Sequence, residues 1–151
     1  MTARPARPAT VRGVRVYADG SALVRYLPFP DHSVDWQRWA ERHGADLLVT
    51  SLSLSELRHA AATAPAHVRA RARDAAEQLE VVRFSDQAVG AAAMTTAVLS
   101  PFASLHLGVA LAHPEVTAFA SYDVRLASVA AIHGLTVVSP GLPDRWWDVA
   151  A

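Results

Sequence analysis

Asp19, Glu56 and Asp123 are the residues of this sequence whose types and positions point most directly to chemistry. Asp19 follows "VRVYA" and precedes "GSALVRYL", so it stands where a strand gives way to a helix. Asp123 follows "VTAFASY" and precedes "VRLASVAAIHG", the same kind of joint. Glu56 lies in an early turn of the helical stretch after "DLLVTS". An unpaired carboxylate beside a core is costly, so each acid needs a partner: a helix N-terminus, an arginine or a cation. In a parallel sheet the ends of these strands lie on one edge, the carboxyl edge where ligands bind. Acids converging there repel unless a positive charge sits among them. Magnesium or manganese suits such a place, being a hard ion with oxygen ligands and retained waters. That chemistry serves phosphodiester hydrolysis. The plainer reading is structural: Asp19 before Gly-Ser is a turn or cap arrangement, Asp123 is placed to cap its helix, and Glu56 has Arg58 or another arginine to pair with.

The elements that must position these acids read as alternating strands and helices, an α/β pattern with a mainly parallel sheet of about five strands. The expected strands are 14–18, 46–51, 80–84, 116–121 and 135–141. A helix is expected from Ser21, and a second with Asp31 as its N-cap and Gly44 at its end, carrying Trp36, Trp39 and Ala40 as a core-facing stripe. Further helices span 52–64, 66–79 after the break at Pro65, 87–99 with Asp86 as cap, and 124–134 ending at Gly134. Ser100 followed by Pro101 marks another N-terminus, because Pro is tolerated where the backbone N–H has no helical partner. The chain divides into an N-terminal arm, residues 1–13, expected to be flexible, and one domain, residues 14–151.

Composition narrows the chemistry. The 151 residues contain no cysteine, which excludes disulfides and zinc–thiolate sites. All 14 basic residues are arginine, so Schiff-base lysine chemistry and a phosphate-binding loop ending in Gly-Lys-Ser/Thr are excluded. Formal net charge is zero, giving no global pull toward nucleic acid. No apolar run approaches the ~18 residues of a membrane span. A cytoplasmic protein is expected.

Four segments, "VYADGSALVRYL", "LLVTSLSLSELRHA", "PFASLHLGVALAH" and "AFASYDVRLASVAAIHGLTVVSPG", resemble the PIN-domain family, and within it the VapC-type toxins of toxin–antitoxin pairs. They occur in the family's order. The resemblance implies a three-layer α/β/α fold and a magnesium- or manganese-dependent endoribonuclease. It also implies a homodimer and a cognate, VapB-like antitoxin that covers the active site. Carried over residue by residue, it makes Asp19, Glu56 and Asp123 the catalytic, metal-holding acids and places Ser121 at a hydroxyl position. One position departs from the pattern: in Phe102-Ala103-Ser104-Leu105-His106-Leu107, Ala103 stands where the family usually has an acid. Three readings follow: a natural member with weakened or lost catalysis, an engineered inactive form, or a site for which three acids suffice.

Several neighbours carry two readings each. His106, one turn beyond Ala103, either assists metal or phosphate or is a structural histidine with a hydrogen-bonded ring. Arg25, Arg58 and Arg125 are candidate contacts to RNA phosphates, or ordinary surface and paired arginines. Ser21 either bonds Asp19 or caps its helix, the cap being preferred. The run Arg69, Arg71, Arg73 reads as a solvated face. Two functions compete: a metal-dependent ribonuclease of toxin type, and a PIN-like domain that binds RNA or antitoxin without turnover. A phosphoacceptor domain of the response-regulator kind is disfavoured because it needs a lysine.

Overall fold

A computed structural model describes residues 15–150. The expected N-terminal arm and Val14 lie outside those residues. Five strands, β1 (Arg15–Ala18), β2 (Leu47–Val49), β3 (Glu80–Val81), β4 (Val116–Ala120) and β5 (Thr136–Val138), form one sheet in the order β3-β2-β1-β4-β5. Every pairing is parallel. Among the described residues seven α-helices connect them: α1 (Gly20–Leu23), α2 (Ser33–His43), α3 (Ser51–Ala61), α4 (Ala66–Glu77), α5 (Asp86–Ala93), α6 (Pro101–Ala112) and α7 (Val124–Ile132). The expected α/β class and five-stranded sheet are both observed.

The three layers follow from strand periodicity. Successive side chains of a strand point to opposite faces. Val16, Ala18, Leu47, Val49, Ala118 and Ala120 join one buried cluster with residues of α1 to α4, including Trp36 and Leu57. Tyr17, Leu48 and Phe119 point the other way, into a cluster with Ala88 of α5, Leu107 of α6 and Leu126 of α7. The three central strands, β2, β1 and β4, are short and bury apolar residues on both faces, as a sheet covered on both sides requires.

Strand order reverses at β1: the chain builds outward through β2 and β3, then crosses to the far side of β1 for β4 and β5. The carboxyl ends of β1 and β4 therefore adjoin at a topological switch point, where an open α/β sheet leaves a crevice. Backbone pairing continues past the strands there, with the Asp19 N–H donating to the Ala120 carbonyl at 3.2 Å. Helix α6 leads into the start of β4 and so runs opposite to it. Its N-terminal turn, with Ala103, is consequently at the same edge.

Some element boundaries differ from expectation for local reasons. Helix α2 begins at Ser33, and its N-cap position is held by His32 at φ 65° with no side-chain cap, not by Asp31. The Ser33 hydroxyl donates back to the Pro30 carbonyl at 2.7 Å, so the turn that enters the helix sets its start. For α5 the cap is Ser85, whose Oγ accepts from the Ala88 N–H at 3.1 Å. Asp86 occupies the first turn instead, where the macrodipole favours an acid. The same helix stops at Ala93 rather than running to 99. Thr95 and Thr96 return their hydroxyls to the Ala92 and Ala93 carbonyls, a bonding pattern that competes with helix continuation. The third strand shrinks to two exposed residues at the sheet edge.

Helices α5 and α6 cross at Gly108. A Cβ there would lie 2.8 Å from the Ala92 N and closer still to the Ala88 carbonyl oxygen. Gly108→Ala is therefore expected to destabilise the protein by about 1–3 kcal/mol, the usual cost of overpacking, measured by urea unfolding. An unchanged midpoint would show that the two helices separate freely.

Candidate active site

Asp19 is 2% exposed, and its carboxylate has a partner on each oxygen. Oδ1 accepts from the Ala22 N–H at 2.9 Å and from the Ser21 hydroxyl at 2.6 Å. Oδ2 accepts from the Ser121 hydroxyl at 2.6 Å. Asp19 is thus the N-cap of α1. The expectation that Ser21 caps the helix is corrected: a cap must stand before the first turn, and Ser21 lies within it and serves the carboxylate. The two serines also hold the exit of β4. Ser21 Oγ accepts from the Tyr122 N–H at 2.8 Å, and Ser121 Oγ accepts from the Asp123 N–H at 3.1 Å. Each hydroxyl therefore donates to Asp19 and accepts from the β4 exit, fastening that exit to the end of β1.

Asp123 is exposed. Its Oδ1 accepts from the Leu126 N–H at 2.9 Å, so it caps α7. The structural role open to it on sequence grounds is realised, and Oδ1 is the oxygen committed to it.

Among the described residues, Glu56 pairs with neither Arg58 nor another arginine. Its Oε1 lies 2.8 Å from His106 Nε2, and its Oε2 rests over the bare Cα of Gly20, where any Cβ would collide with it. Glycine at position 20 thus allows α3 to bring an acid against the residue that follows Asp19. The glutamate side chain is 34% exposed and His106 only 3%.

The arginines separate. Arg25 stays at the edge, its guanidinium 3.9 Å over the Tyr122 ring, with Nη1 donating to the Ser21 carbonyl at 2.5 Å. Arg125 is exposed in the first turn of α7. Arg58 instead lines a groove of about 560 Å³ between α3 and α4, together with Arg69, Arg73 and Glu77. Arg69, Arg71 and Arg73 are exposed, as the charge pattern predicts. Ala103, in the first turn of α6, is half-buried and packs against the second core cluster. Three residues escaped the sequence reading: Tyr17, Thr50 and Ser53, which join His106 in a buried polar network. The signal for them was a tyrosine between the apolar Val16 and Ala18, since a buried phenol needs a partner.

The donor chemistry at this edge suits a hard divalent cation: carboxylate and hydroxyl oxygens, no sulfur. Among the described residues, no three His, Asp or Glu side chains stand close enough together to enclose an ion. The edge therefore fits a cation held by one or two carboxylates with water, as magnesium usually is. It does not fit an all-protein cage.

Burial pushes the Asp19 carboxyl above its ordinary value, against the nearby His106 ring and the hydrogen bonds from Ser121, Ser21 and Ala22. A folded-state value above the unfolded one means that the folded protein holds the proton more tightly. Ionising Asp19 then costs stability as pH rises from about 3.9, the ordinary aspartate value, through the folded value. Asp19→Asn removes that titration, while exchanging one accepting oxygen for an amide NH2 beside a serine hydroxyl. In chelator-treated protein the parent is therefore expected to lose melting temperature relative to Asp19→Asn as pH rises from about 4 toward neutral. Thermal melts across pH measure this, and parallel pH profiles for the two proteins contradict it.

No curated protein matches the chain. The family described as PIN domain matches residues 16–132, a span that contains Asp19, Glu56, Ala103 and Asp123. With that match covering most of its length and the parallel sheet closing the same acids onto one edge, the chain belongs to the PIN domain family.

Proposed function

We propose that this protein is a magnesium- or manganese-dependent endoribonuclease of the VapC toxin type, weakened at Ala103. PIN domains are generally nucleases and typically use divalent metal ions. The observation that carries the finer reading is the fastening of Asp19 to the Ser121–Asp123 segment through two hydroxyls. A buried carboxylate needs donors, but a cap alone would supply them from the backbone. Placing two serines from different elements on it makes a firmly held, acid-centred edge, which supports a metal-assisted route to phosphodiester hydrolysis. In this reading one or two of Asp19, Glu56 and Asp123 would hold the ion directly and the rest would reach it through its waters. When bound, it supplies charge neutralisation at the scissile phosphate and an acidified water. Arg25 and Arg125 contact RNA phosphates beside the acids. Homodimerisation and silencing by a VapB-like antitoxin belong to the same proposal.

The alternative is a PIN-like domain that binds RNA or an antitoxin without turnover. Ala103 favours it, because the edge has one acid fewer than the family pattern, and fewer carboxylates mean weaker cation binding. The position itself accommodates an acid. Ala103 is the third residue of α6, after the Ser100 cap, where the helix dipole favours a carboxylate by about 0.3–1 kcal/mol.

The two readings divide on one assay. With magnesium or manganese present, Ala103→Asp is expected to cleave RNA at least about tenfold faster than the parent chain, in line with the loss typical for a group that shapes a metal site. Chelation is expected to stop both. If neither protein cleaves RNA and neither binds a divalent ion, the nuclease reading fails and the binding reading replaces it.

A further inference from the structure

Tyr17 is fully buried in the sheet, and its hydroxyl meets three polar atoms: Thr50 Oγ1 at 3.0 Å, Ser53 Oγ at 3.2 Å and His106 Nδ1 at 2.6 Å. The direction of these bonds follows from what each atom has to give. The Ser53 hydroxyl proton goes to the Ala18 carbonyl at 2.9 Å, so Ser53 has none left for the phenol. Thr50 has a hydroxyl proton to offer it. A phenol keeps its proton near neutral pH, so in this buried place the Tyr17 proton has to be donated. The nearest acceptor is His106 Nδ1.

The far side of the ring sets the same direction. His106 Nε2 lies 2.8 Å from Glu56 Oε1. An ionised carboxylate only accepts, so Nε2 must carry the hydrogen. In a neutral imidazole Nδ1 is then the acceptor, and it needs a donor in a place that water does not reach. Tyr17 is that donor. The bonds run one way: Thr50 hydroxyl to Tyr17 oxygen, Tyr17 hydroxyl to His106 Nδ1, His106 Nε2–H to Glu56. We propose that Tyr17 and His106 are positioning residues, with Tyr17 selecting the Nε2–H tautomer of His106 so that the imidazole fixes the Glu56 carboxylate at the carboxyl edge.

The need for such a device is visible in Glu56 itself. It is a long side chain, one-third exposed, with no arginine among the described residues bonded to it, and without His106 it would exchange among rotamers. His106 commits Oε1, Gly20 leaves room for Oε2, and the carboxylate stays aimed along the edge that Asp19 occupies. A histidine serving the core alone would have no need of a carboxylate on α3. Oriented donors behind a reactive carboxylate are worth a large factor in activity or ion affinity, about 10–100-fold where they have been removed from metal sites. The catalytic consequence rests on the nuclease reading above. The tautomer and the hold on Glu56 do not.

The test is nitrogen NMR of the full chain labelled at histidine, free of metal, at about pH 8, where an ordinary imidazole is neutral. His106 is expected as the Nε2–H tautomer in the parent. Tyr17→Phe is expected to lose that preference, giving a mixed or Nδ1–H ring, and Glu56→Gln to shift the Nε2 resonance without changing the tautomer. A parent ring that is Nδ1–H or doubly protonated at that pH overturns the proposal, as does a tautomer indifferent to Tyr17→Phe. A second arm uses Ala103→Asp as background. There Tyr17→Phe and His106→Ala are expected to lower kcat about tenfold or more with KM within about twofold. His106→Gln, whose amide N–H can still reach Glu56, is expected to recover part of the loss. If that background cleaves RNA while Tyr17→Phe leaves kcat unchanged, the positioning role is overturned and the nuclease reading survives. If the tautomers behave as expected but no variant cleaves RNA, the nuclease reading falls and the hold on Glu56 stands.

Discussion

Asp19 is a carboxylate taken out of water at the end of the central strand, and the architecture of the surrounding edge answers what that burial costs. An ionised group so placed has to be hydrogen-bonded or it neutralises. The Ala22 N–H and the hydroxyls of Ser21 and Ser121 supply three donors, each charge-assisted bond contributing on the order of 1.5–3 kcal/mol. Those donors come from different elements, so meeting the need of one side chain fixes the relative placement of β1, α1 and the exit of β4. Ser121 is itself anchored to β5, its N–H donating to the Val138 carbonyl and its own carbonyl accepting from the Ser139 hydroxyl. The switch point of the sheet is thereby stiffened where a ligand would enter.

Much of this was readable in the sequence, and the reason is periodicity. Val16, Tyr17 and Ala18, then Leu47, Leu48 and Val49, then Ala118, Phe119 and Ala120 are short runs apolar on both faces, separated by helical stretches, a pattern that a doubly covered parallel sheet alone satisfies. Placing Asp19 and Asp123 at equivalent strand ends needed only that topology. Helix starts were less legible where two cap residues stand side by side, as at Ser85–Asp86, or where a turn upstream decides, as at Asp31–His32–Ser33. The Tyr17–His106–Glu56 chain was hidden for a different reason. Its members lie on β1, α6 and α3, and no local spacing announces a contact between residues 17 and 106.

Ala103 changes what the edge can do more than how it folds. The helix dipole at its position favours an acid, the cap at Ser100 is intact, and its methyl merely packs against the second core cluster. The fastening of Asp19 and the hold on Glu56 are both in place without a carboxylate there. The orientation of Asp19 and Glu56 is therefore separable from the number of acids at this edge: the hydroxyls, the histidine and the glycine are in place although position 103 is alanine.

The central claim is that Asp19, Glu56 and Asp123 serve one shared cation with its waters. Anomalous diffraction from crystals of this chain soaked in manganese tests it most directly. The account predicts one ion at the carboxyl edge, within about 2.0–2.2 Å of an Asp19 oxygen as for hard divalent ions on oxygen, its water shell reaching Glu56 and Asp123. An edge that stays empty at saturating manganese, or an ion bound only away from Asp19, would contradict it.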